Sequence, residues 1–282
     1  MQKNTHRCSG FAEVNGTRLY FEMAGKGRPL VLLHGHFLNH TLWNMHFDVL
    51  AQHYRVLRFD LRGFGQSAPY LTEPRPFFWH EDLWHLLHYF ELKPASLIGF
   101  SLGGKVALDF ALSQPDMVES LVLVSTGVSG FHIKERTRGK PLEDAFHSIE
   151  QALEQEDLER AADLCLRTWT IGPHRTEEQV SARVRNFIRR GTLHQWMNQS
   201  HKVLQPLEPA PPAFERLEEV QAPTLILAGT QDVPASVELA EILRKRIRRA
   251  RRVLIPDAAH HLILEHPELF NRIVLDFLAT YR

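Results

Sequence analysis

Short apolar runs alternate with longer helical patterns along the first half of the chain. The runs at 30–33, 55–59, 96–100 and 121–124 are rich in apolar residues and only four or five residues long. Such runs are typical of strands in a parallel sheet that is covered on both faces. Between them, apolar side chains recur with helical spacing, as in Trp79, Leu83, Leu86, Leu87 and Phe90. The alternation predicts an α/β fold, with helices packed on the faces of one sheet.

The pattern changes in the middle of the chain. From 131 to 214 the strand-like runs disappear, charged helical stretches replace them, and several prolines crowd the end of the segment. Strand-like runs then return, and the chain closes on an amphipathic helical pattern. We therefore predict an α/β core formed by residues 1–130 and 215–282, interrupted by a helical lid over residues 131–214.

Composition excludes several classes of protein. Of 282 residues, 44% are hydrophobic and 23% charged, which is ordinary for a globular protein. Thirty-three basic and thirty-three acidic residues cancel, so no general attraction to nucleic acid or to a membrane surface is expected. The chain has two cysteines, no signal-peptide pattern and no apolar run long enough to span a bilayer. We expect a cytoplasmic protein, a monomer or homodimer, with neither nucleic acid nor membrane as a partner.

The strongest chemical signal is the pentapeptide Gly99-Phe100-Ser101-Leu102-Gly103. It matches the G-x-S-x-G pattern, in which a serine lies on a sharp turn from a strand into a helix with its hydroxyl exposed. A strand is predicted before it and a helix after it, which is the context that the pattern requires. The alternative is a glycine turn with an ordinary surface serine. We predict that Ser101 is a catalytic nucleophile.

Two backbone N–H groups are candidates for an oxyanion hole. Leu102 begins the helix after the serine, where the helix dipole favours negative charge. The tetrapeptide His34-Gly35-His36-Phe37 follows a buried strand, a position from which enzymes with this pattern draw a second donor. We predict the backbone N–H of His36 for this role, with Phe37 as the second choice. For the imidazoles of His34 and His36 we expect packing roles.

Position along the chain selects the base and the acid. In enzymes with this pattern the order is serine, acid, histidine, with the last two on loops after later strands. His260 follows the predicted strand at 253–255 and is the predicted base, with His261 as the second choice. Asp232 follows the strand at 224–228 and is the predicted acid, which would fix the tautomer of the imidazole. A solvated loop aspartate is the alternative for Asp232.

Nearby polar residues are given structural roles. We interpret Asp257 as a loop cap and Glu265 as an anchor for the last helix. Adjacent histidines suit a metal site poorly because they point in different directions, and no carboxylate-rich group accompanies them. No metal and no organic cofactor are expected. The basic run at 244–252 is interpreted as an exposed helix end, where cations complement the helix dipole.

Together these residues resemble the α/β-hydrolase family. The resemblance rests on five ordered blocks, namely His34-Gly35, Asp60 to Ser67, Gly99 to Gly103, Gly229 to Asp232 and His260 to Pro267. It implies a mostly parallel eight-stranded sheet flanked by helices, with a lid insertion and a structural role for the 60–67 turn. The serine at position 101 excludes members with an aspartate nucleophile. Because the turn is similar to those of carboxylesterases, enol-lactonases and cofactor-free perhydrolases, the resemblance implies hydrolysis of a carboxylic ester or lactone.

Two other functions stay open on the sequence. Carbon–carbon bond hydrolases of the meta-cleavage pathway resemble the chain and use the same three residues, although they usually carry tryptophan where this chain has His261. A slow-turnover ligand-binding receptor of the same fold would also keep the triad. In either case the substrate pocket is expected to be apolar. Its candidate residues are Phe37, Trp169 and Trp196, with ordinary packing inside the lid as the alternative for each.

Overall fold

The computed structural model describes residues 7–131, 140–198 and 204–281. Eight strands form one sheet: β1 (Cys8–Val14), β2 (Thr17–Ala24), β3 (Pro29–Leu33), β4 (Arg55–Phe59), β5 (Ala95–Phe100), β6 (Val118–Val124), β7 (Thr224–Gly229) and β8 (Ala250–Ile255). They lie in the order β1-β2-β4-β3-β5-β6-β7-β8. β2 is antiparallel to both of its neighbours, and the remaining pairs are parallel. The predicted mostly parallel sheet of eight strands is confirmed.

The central strands are buried on both faces, which explains their continuous apolar sequence. Along β3, Leu30 and Leu32 belong to one hydrophobic cluster, while Val31 and Leu33 belong to another on the opposite face of the sheet. Every residue of β5 and β7 is buried. By contrast, β1 lies at the edge of the sheet and is mostly exposed or half-buried. It therefore lacks the apolar run on which strand prediction depends, and the sequence pattern does not predict it.

The helices are α1 (Phe47–Ala51), α2 (Trp79–Tyr89), α3 (Leu102–Ser113), α4 (Lys140–Glu154), α5 (Leu158–Cys165), α6 (Ala182–Asn198), α7 (Pro234–Arg246), α8 (Leu262–Glu265) and α9 (Pro267–Thr280). On α2 the predicted stripe faces the core, since Leu83, Leu86 and Leu87 are fully buried. In none of these described segments is a helix both long and apolar enough to cross a membrane.

Among its described residues, the chain between β6 and β7, called the insertion below, adds no strand to the sheet and consists of helices and loops. It contains α4, α5 and α6, and a π-helix at Leu166–Ile171 follows α5 without a break. A π-helix is rare and occurs mostly as a single turn within an α-helix, frequently at functional sites. The segment from 131 to 214, whose sequence lacks strand-like runs, lies within this region. The predicted domain boundaries themselves rest on the sequence pattern.

The turn at 60–67 is held by buried polar contacts. Both carboxylate oxygens of Asp60 accept backbone N–H bonds, from His40 at 2.6 Å and from Gln66 at 2.8 Å. Two residues on, Arg62 forms a bidentate pair with Asp82 of α2 at 2.8 and 2.6 Å, and both side chains are almost fully buried. These contacts fix the loop after β4 to the neighbouring elements, as a structural turn requires.

Two carboxylates pair with cations of the basic run at 244–252. Glu241 of α7 pairs with Arg244 at 2.7 Å and with Arg252 of β8 at 2.9 Å. Arg246 pairs with Glu218 at 2.6 Å. The run spans the end of α7 and the first residues of β8.

A buried histidine makes the stability of the fold depend on pH. His46 precedes α1 and is fully buried, with Nδ1 2.7 Å from Oδ1 of Asn271 on α9. Burial lowers the pKa of His46 to about 4. Below its ordinary value near 6.5 the unfolded chain therefore takes up a proton at His46 that the folded protein does not. The stability that neutral His46 contributes is present above pH 6.5 and is lost as the pH falls toward 4.

We predict that His46→Gln reduces this dependence on pH. Between about pH 7.5 and about pH 5 the difference in free energy of unfolding should shrink by about 2 kcal/mol relative to the wild type. Urea unfolding at the two pH values measures it. The exposed His53 offers the control, because His53→Gln removes an imidazole that the core does not bury. An unchanged pH dependence in His46→Gln would show that His46 does not carry the effect.

Candidate active site

Ser101 lies on the turn between β5 and α3 in a strained backbone conformation. Its φ of 50° and ψ of −111° lie in a region that residues other than glycine rarely adopt. Four backbone hydrogen bonds hold it there: Ser101 N donates to Val124 O at 2.9 Å, and Ser101 O accepts from Gly104 N and Gly127 N at 3.0 Å each and from Lys105 N at 3.1 Å. Strain at one residue persists when its surroundings determine it in this way.

Glycines permit the close packing around this turn. A Cβ on Gly103 would lie 2.3 Å from the carbonyl oxygen of Leu33, and one on Gly99 would lie 2.4 Å from the carbonyl oxygen of Gly103. Neither carbonyl can move without disturbing the sheet or the helix. The pattern of glycines in the sequence thus corresponds to a direct backbone contact of α3 with β3 and β5, which sets the position of Ser101.

Asp232 and His260 are brought together by neighbouring strands. Asp232 follows β7 and His260 follows β8, so both lie at the carboxyl edge of the sheet. Nδ1 of His260 is 2.9 Å from Oδ2 of Asp232, and the carboxylate is buried. The other oxygen, Oδ1, accepts the backbone N–H of Val233 at 2.7 Å. An Nδ1–H donated to the carboxylate leaves Nε2 of His260 as the proton acceptor.

His261, the second choice for the base, has different surroundings. It is buried, and its Nδ1 lies 3.1 Å from Oγ1 of Thr170 in the insertion. Burial, with a smaller contribution from the charge of His260, holds the pKa of His261 well below its ordinary value. A neutral imidazole with no carboxylate partner among the described residues is less suited to act as the base than His260, which has Asp232 beside it.

A cavity of about 240 Å³ lies beside these residues. Ser101, His260, Phe37 and Trp169 border it, together with residues that the sequence did not single out for the pocket, namely His36, Leu38, Phe100, Ser125, Thr126, Gly127, Cys165, Ile188, Thr192 and His261. Ile188 and Thr192 lie one helical turn apart on α6. That spacing was visible in the sequence, but nothing in it indicated which face of α6 turns toward the core.

Trp196 is absent from the described residues that border the cavity. It is buried in a small cluster with residues of α4 and α5, and its ring packs against that of Phe37 at 5.0 Å between centroids. The sequence predicts Trp196 as a pocket residue, with packing inside the lid as the alternative. The contacts of Trp196 in the structure are packing contacts. Trp196 lies one residue behind the cavity wall, and its link to the cavity is through Phe37.

The loop after β3 lies directly against the serine turn. A Cβ on Gly35 would stand 2.6 Å from the ring of Phe100 and 3.3 Å from Cβ of Ser101. His36 borders the cavity from this loop, and Leu102 begins α3 on the other side of Ser101. The imidazole of His34 is buried and bonds backbone groups. Its Nδ1 lies 2.8 Å from Gly35 O, and its Nε2 accepts the backbone N–H of Leu61 at 2.9 Å.

Comparison with known proteins identifies the family. A family profile for the alpha/beta hydrolase fold matches residues 28–267, which is most of the chain. This chain belongs to the α/β-hydrolase family. A pimeloyl-(acyl-carrier protein) methyl ester esterase of Yersinia enterocolitica is 27% identical to it over 263 residues, which cover 92% of this chain and 97% of that protein.

Solved structures of similar proteins cover nearly the whole α/β-hydrolase chain. The enol-lactonase from Burkholderia xenovorans is 25% identical, with a TM-score of 0.75 over 96% of this chain and 100% of that one. An esterase from Exiguobacterium antarcticum has a TM-score of 0.77 over the same shares, and at 21% identity it shows the fold alone. The family, the methyl ester esterase and the enol-lactonase support a hydrolytic function.

The insertion of this α/β-hydrolase contacts the loop between β8 and α8 directly. This loop, residues 256–261, carries His260 and is called the histidine loop below. The backbone N–H of His260 donates to the carbonyl of Trp169 in the π-helix at 3.2 Å, and the two rings lie 4.9 Å apart. Gly172, just after the π-helix, has φ 84° and ψ 169°, which is essentially a glycine conformation. A Cβ there would lie 2.2 Å from the carbonyl oxygen of Gln231, next to Asp232.

We predict that Gly172→Ala destabilises this α/β-hydrolase by about 2 kcal/mol, since it combines a disfavoured φ with a backbone collision. Gly127→Ala is the matched control. A Cβ on Gly127 meets its nearest neighbours at an ordinary 3.7 Å, and the backbone N–H bond to Ser101 is kept. Chemical denaturation of both variants measures the difference. Equal stability of the two would contradict the close contact at Gly172.

Proposed function

We propose that this protein is a serine hydrolase of a carboxylic ester or lactone, with Ser101 as nucleophile, His260 as base and Asp232 as acid. The observation that carries the proposal is the buried Asp232–His260 hydrogen bond beside a cavity that a strained serine also borders. A serine hydroxyl becomes a competent nucleophile when an oriented base can accept its proton.

The reaction then proceeds through an acyl-enzyme. His260 takes the proton of Ser101 as Oγ attacks the carbonyl carbon, and the oxyanion forms next to the backbone N–H groups of His36 and Leu102. Protonated His260 gives its proton to the leaving alkoxide, and the alcohol departs. Water, deprotonated by His260, attacks the acyl group, and Oγ of Ser101 then leaves with the proton that His260 returns, which releases the acid and free Ser101. Asp232 holds the imidazole tautomer and stabilises the imidazolium in both halves.

The cavity favours a small, largely apolar substrate. Its volume of about 240 Å³ is below the range typical of sites for drug-sized ligands. Phe37 and Trp169 supply aromatic walls, and Trp196 supports Phe37 from behind. We assign residues 131–214 as a lid over this cavity and residues 1–130 and 215–282 as the core, because Trp169, Cys165, Ile188 and Thr192 of the insertion all border it.

The relatives favour the same bond type. One of the similar proteins is named a methyl ester esterase, and one of the similar structures is an enol-lactonase. Both names describe attack on an acyl carbon that carries an oxygen leaving group, which is the chemistry for which the proposed triad is arranged. Carbon–carbon bond cleavage and slow-turnover binding would use the same residues and are separated from ester hydrolysis by the rate on simple esters.

We expect Ser101→Ala to lose at least about 10⁴-fold in kcat on p-nitrophenyl acetate, since removal of the nucleophile leaves only background catalysis. Ser113→Ala, at the exposed end of α3, should keep wild-type activity. Labelling by a fluorophosphonate should require Ser101 as well. A wild type that is labelled but turns over no ester would point to carbon–carbon cleavage or to a receptor, and substantial turnover in Ser101→Ala would exclude this mechanism.

We expect the wild type to prefer short acyl chains among p-nitrophenyl esters from acetate to dodecanoate. Trp169→Ala should raise the ratio of kcat/KM for octanoate to that for acetate by about tenfold or more, because loss of the indole makes room for added methylenes. The backbone carbonyl that binds His260 N stays in place. Trp84→Ala, on α2 away from the cavity, is the control. An unchanged chain-length profile would place the acyl group elsewhere.

A further inference from the structure

A buried ion pair joins the insertion to the core next to the histidine loop. Arg175 lies in the insertion, just after the π-helix, and Glu265 is the last residue of α8. Nη1 and Nη2 of Arg175 are 2.6 and 3.2 Å from the two oxygens of Glu265. Arg175 is only 6% exposed. The pair is therefore bidentate and almost dry, unlike the exposed ion pairs of the insertion.

Every N–H donor of the Arg175 guanidinium is engaged. Besides the two bonds to Glu265, Nε donates to Ile171 O at 2.8 Å and Nη2 to Thr170 O at 2.7 Å, both in the π-helix. The fifth donor, on Nη1, bonds Asp257 O at 2.6 Å. The side chain of Arg175 thus links the π-helix that carries Trp169 to the start of the histidine loop.

Glu265 holds the other side of the histidine loop. Its Oε1 accepts the backbone N–H of Ala259 at 3.0 Å. The side chain of Glu265 therefore contacts this loop and Arg175, although its sequence position predicts an anchor for the last helix. Asp257, with φ 57°, occupies a left-handed conformation that costs free energy for a residue with a Cβ. Arg175 bonds the loop at Asp257 and Glu265 bonds it at Ala259, one residue before His260.

Stability alone is a weak reason for such a pair. Removing two charges from water offsets most of the attraction between them, so a buried pair often contributes less than well-packed apolar residues would. What the pair does achieve is geometric. It fixes Asp257 O, Ala259 N and Thr170 O relative to one another, while Trp169 O fixes the N–H of His260. The base is thereby held from its own loop and from the insertion.

We propose that Arg175 and Glu265 are positioning residues that hold His260 in line with Asp232 and Ser101 and hold Trp169 over the cavity. This inference rests on the proposed serine-hydrolase function. It predicts that the insertion takes part in catalysis by fixing the base, in addition to shaping the pocket. A displacement of a catalytic group by about 1 Å costs about a hundredfold in rate, and this sets the expected size of the effect.

The first test separates kcat from KM in three variants. Arg175→Ala and Glu265→Gln should each lower kcat on p-nitrophenyl acetate by about a hundredfold with KM changed by less than about threefold. The double variant should be no slower than the worse single variant, because both act through one arrangement. Arg175→Lys, which keeps the charge but not the five bonds, should fall between Arg175→Ala and the wild type.

The second test is chemical rescue. An open groove of about 600 Å³ borders Arg175, so a small cation can reach the site of a truncated side chain. Millimolar guanidinium or methylguanidinium should restore kcat of Arg175→Ala in a saturable way and leave the wild type unchanged. Arg189→Ala is the matched control. Arg189 is likewise an ion-paired arginine of the insertion, but its pairs with Asp163 and Glu159 lie on the protein surface. It should keep wild-type kcat and show no rescue.

The outcomes are distinct. Wild-type kcat in folded Arg175→Ala, with only a lower melting temperature, would overturn the positioning role and leave the proposed function intact. If Arg175→Ala does not fold, Arg175→Lys and Glu265→Gln decide, and wild-type kcat in both overturns the role. A wild type that neither hydrolyses the ester nor reacts with a fluorophosphonate overturns the proposed function and the positioning role together.

Discussion

At the start of α3 there is no room for a single side-chain carbon between the helix and the strands beneath it. A Cβ on Gly103 would lie 2.3 Å from the carbonyl of Leu33, and one on Gly99 would meet the helix backbone. This contact fixes the path of the chain at Ser101 and produces the positive φ found there. The other groups of the site lie at the ends of neighbouring strands, so their distances from Ser101 follow from the register of the sheet.

The sequence was most informative where chemistry depends on local pattern and on strand order. The turn at Ser101 follows from glycines on both sides of a serine, and Asp232 and His260 follow from their places after the last two strands. Carboxyl ends of parallel strands meet at one edge, so a linear order of residues translates into proximity there. The hydrogen bond between Asp232 and His260 is the geometry that this reasoning predicts.

The sequence was least informative about contacts between the insertion and the core. Arg175 and Glu265 are ninety residues apart, and neither lies in a pattern that would single out the other. The packing of Trp196 behind Phe37 likewise depends on how α6 is rotated against the loop after β3. Helical periodicity predicts that one face is buried, but it does not say against which element. The edge strand β1 is not predicted for a related reason. Because it lies at the edge of the sheet and is mostly exposed or half-buried, its sequence carries little apolar pattern.

The joint between insertion and core limits how the two can be exchanged. The insertion leaves the sheet after β6 and re-enters it at β7, so a chimera with a relative would replace it between these two strands. A foreign insertion without an equivalent arginine would leave the carboxylate of Glu265 buried beside the loop that carries His260 without its cation, a loss of about 3–5 kcal/mol for a broken buried pair. It would also remove the carbonyl that receives His260 N. A chimera of this protein therefore has to carry the segment from the π-helix to Arg175 with the core, so the functional border between the two parts lies inside the insertion.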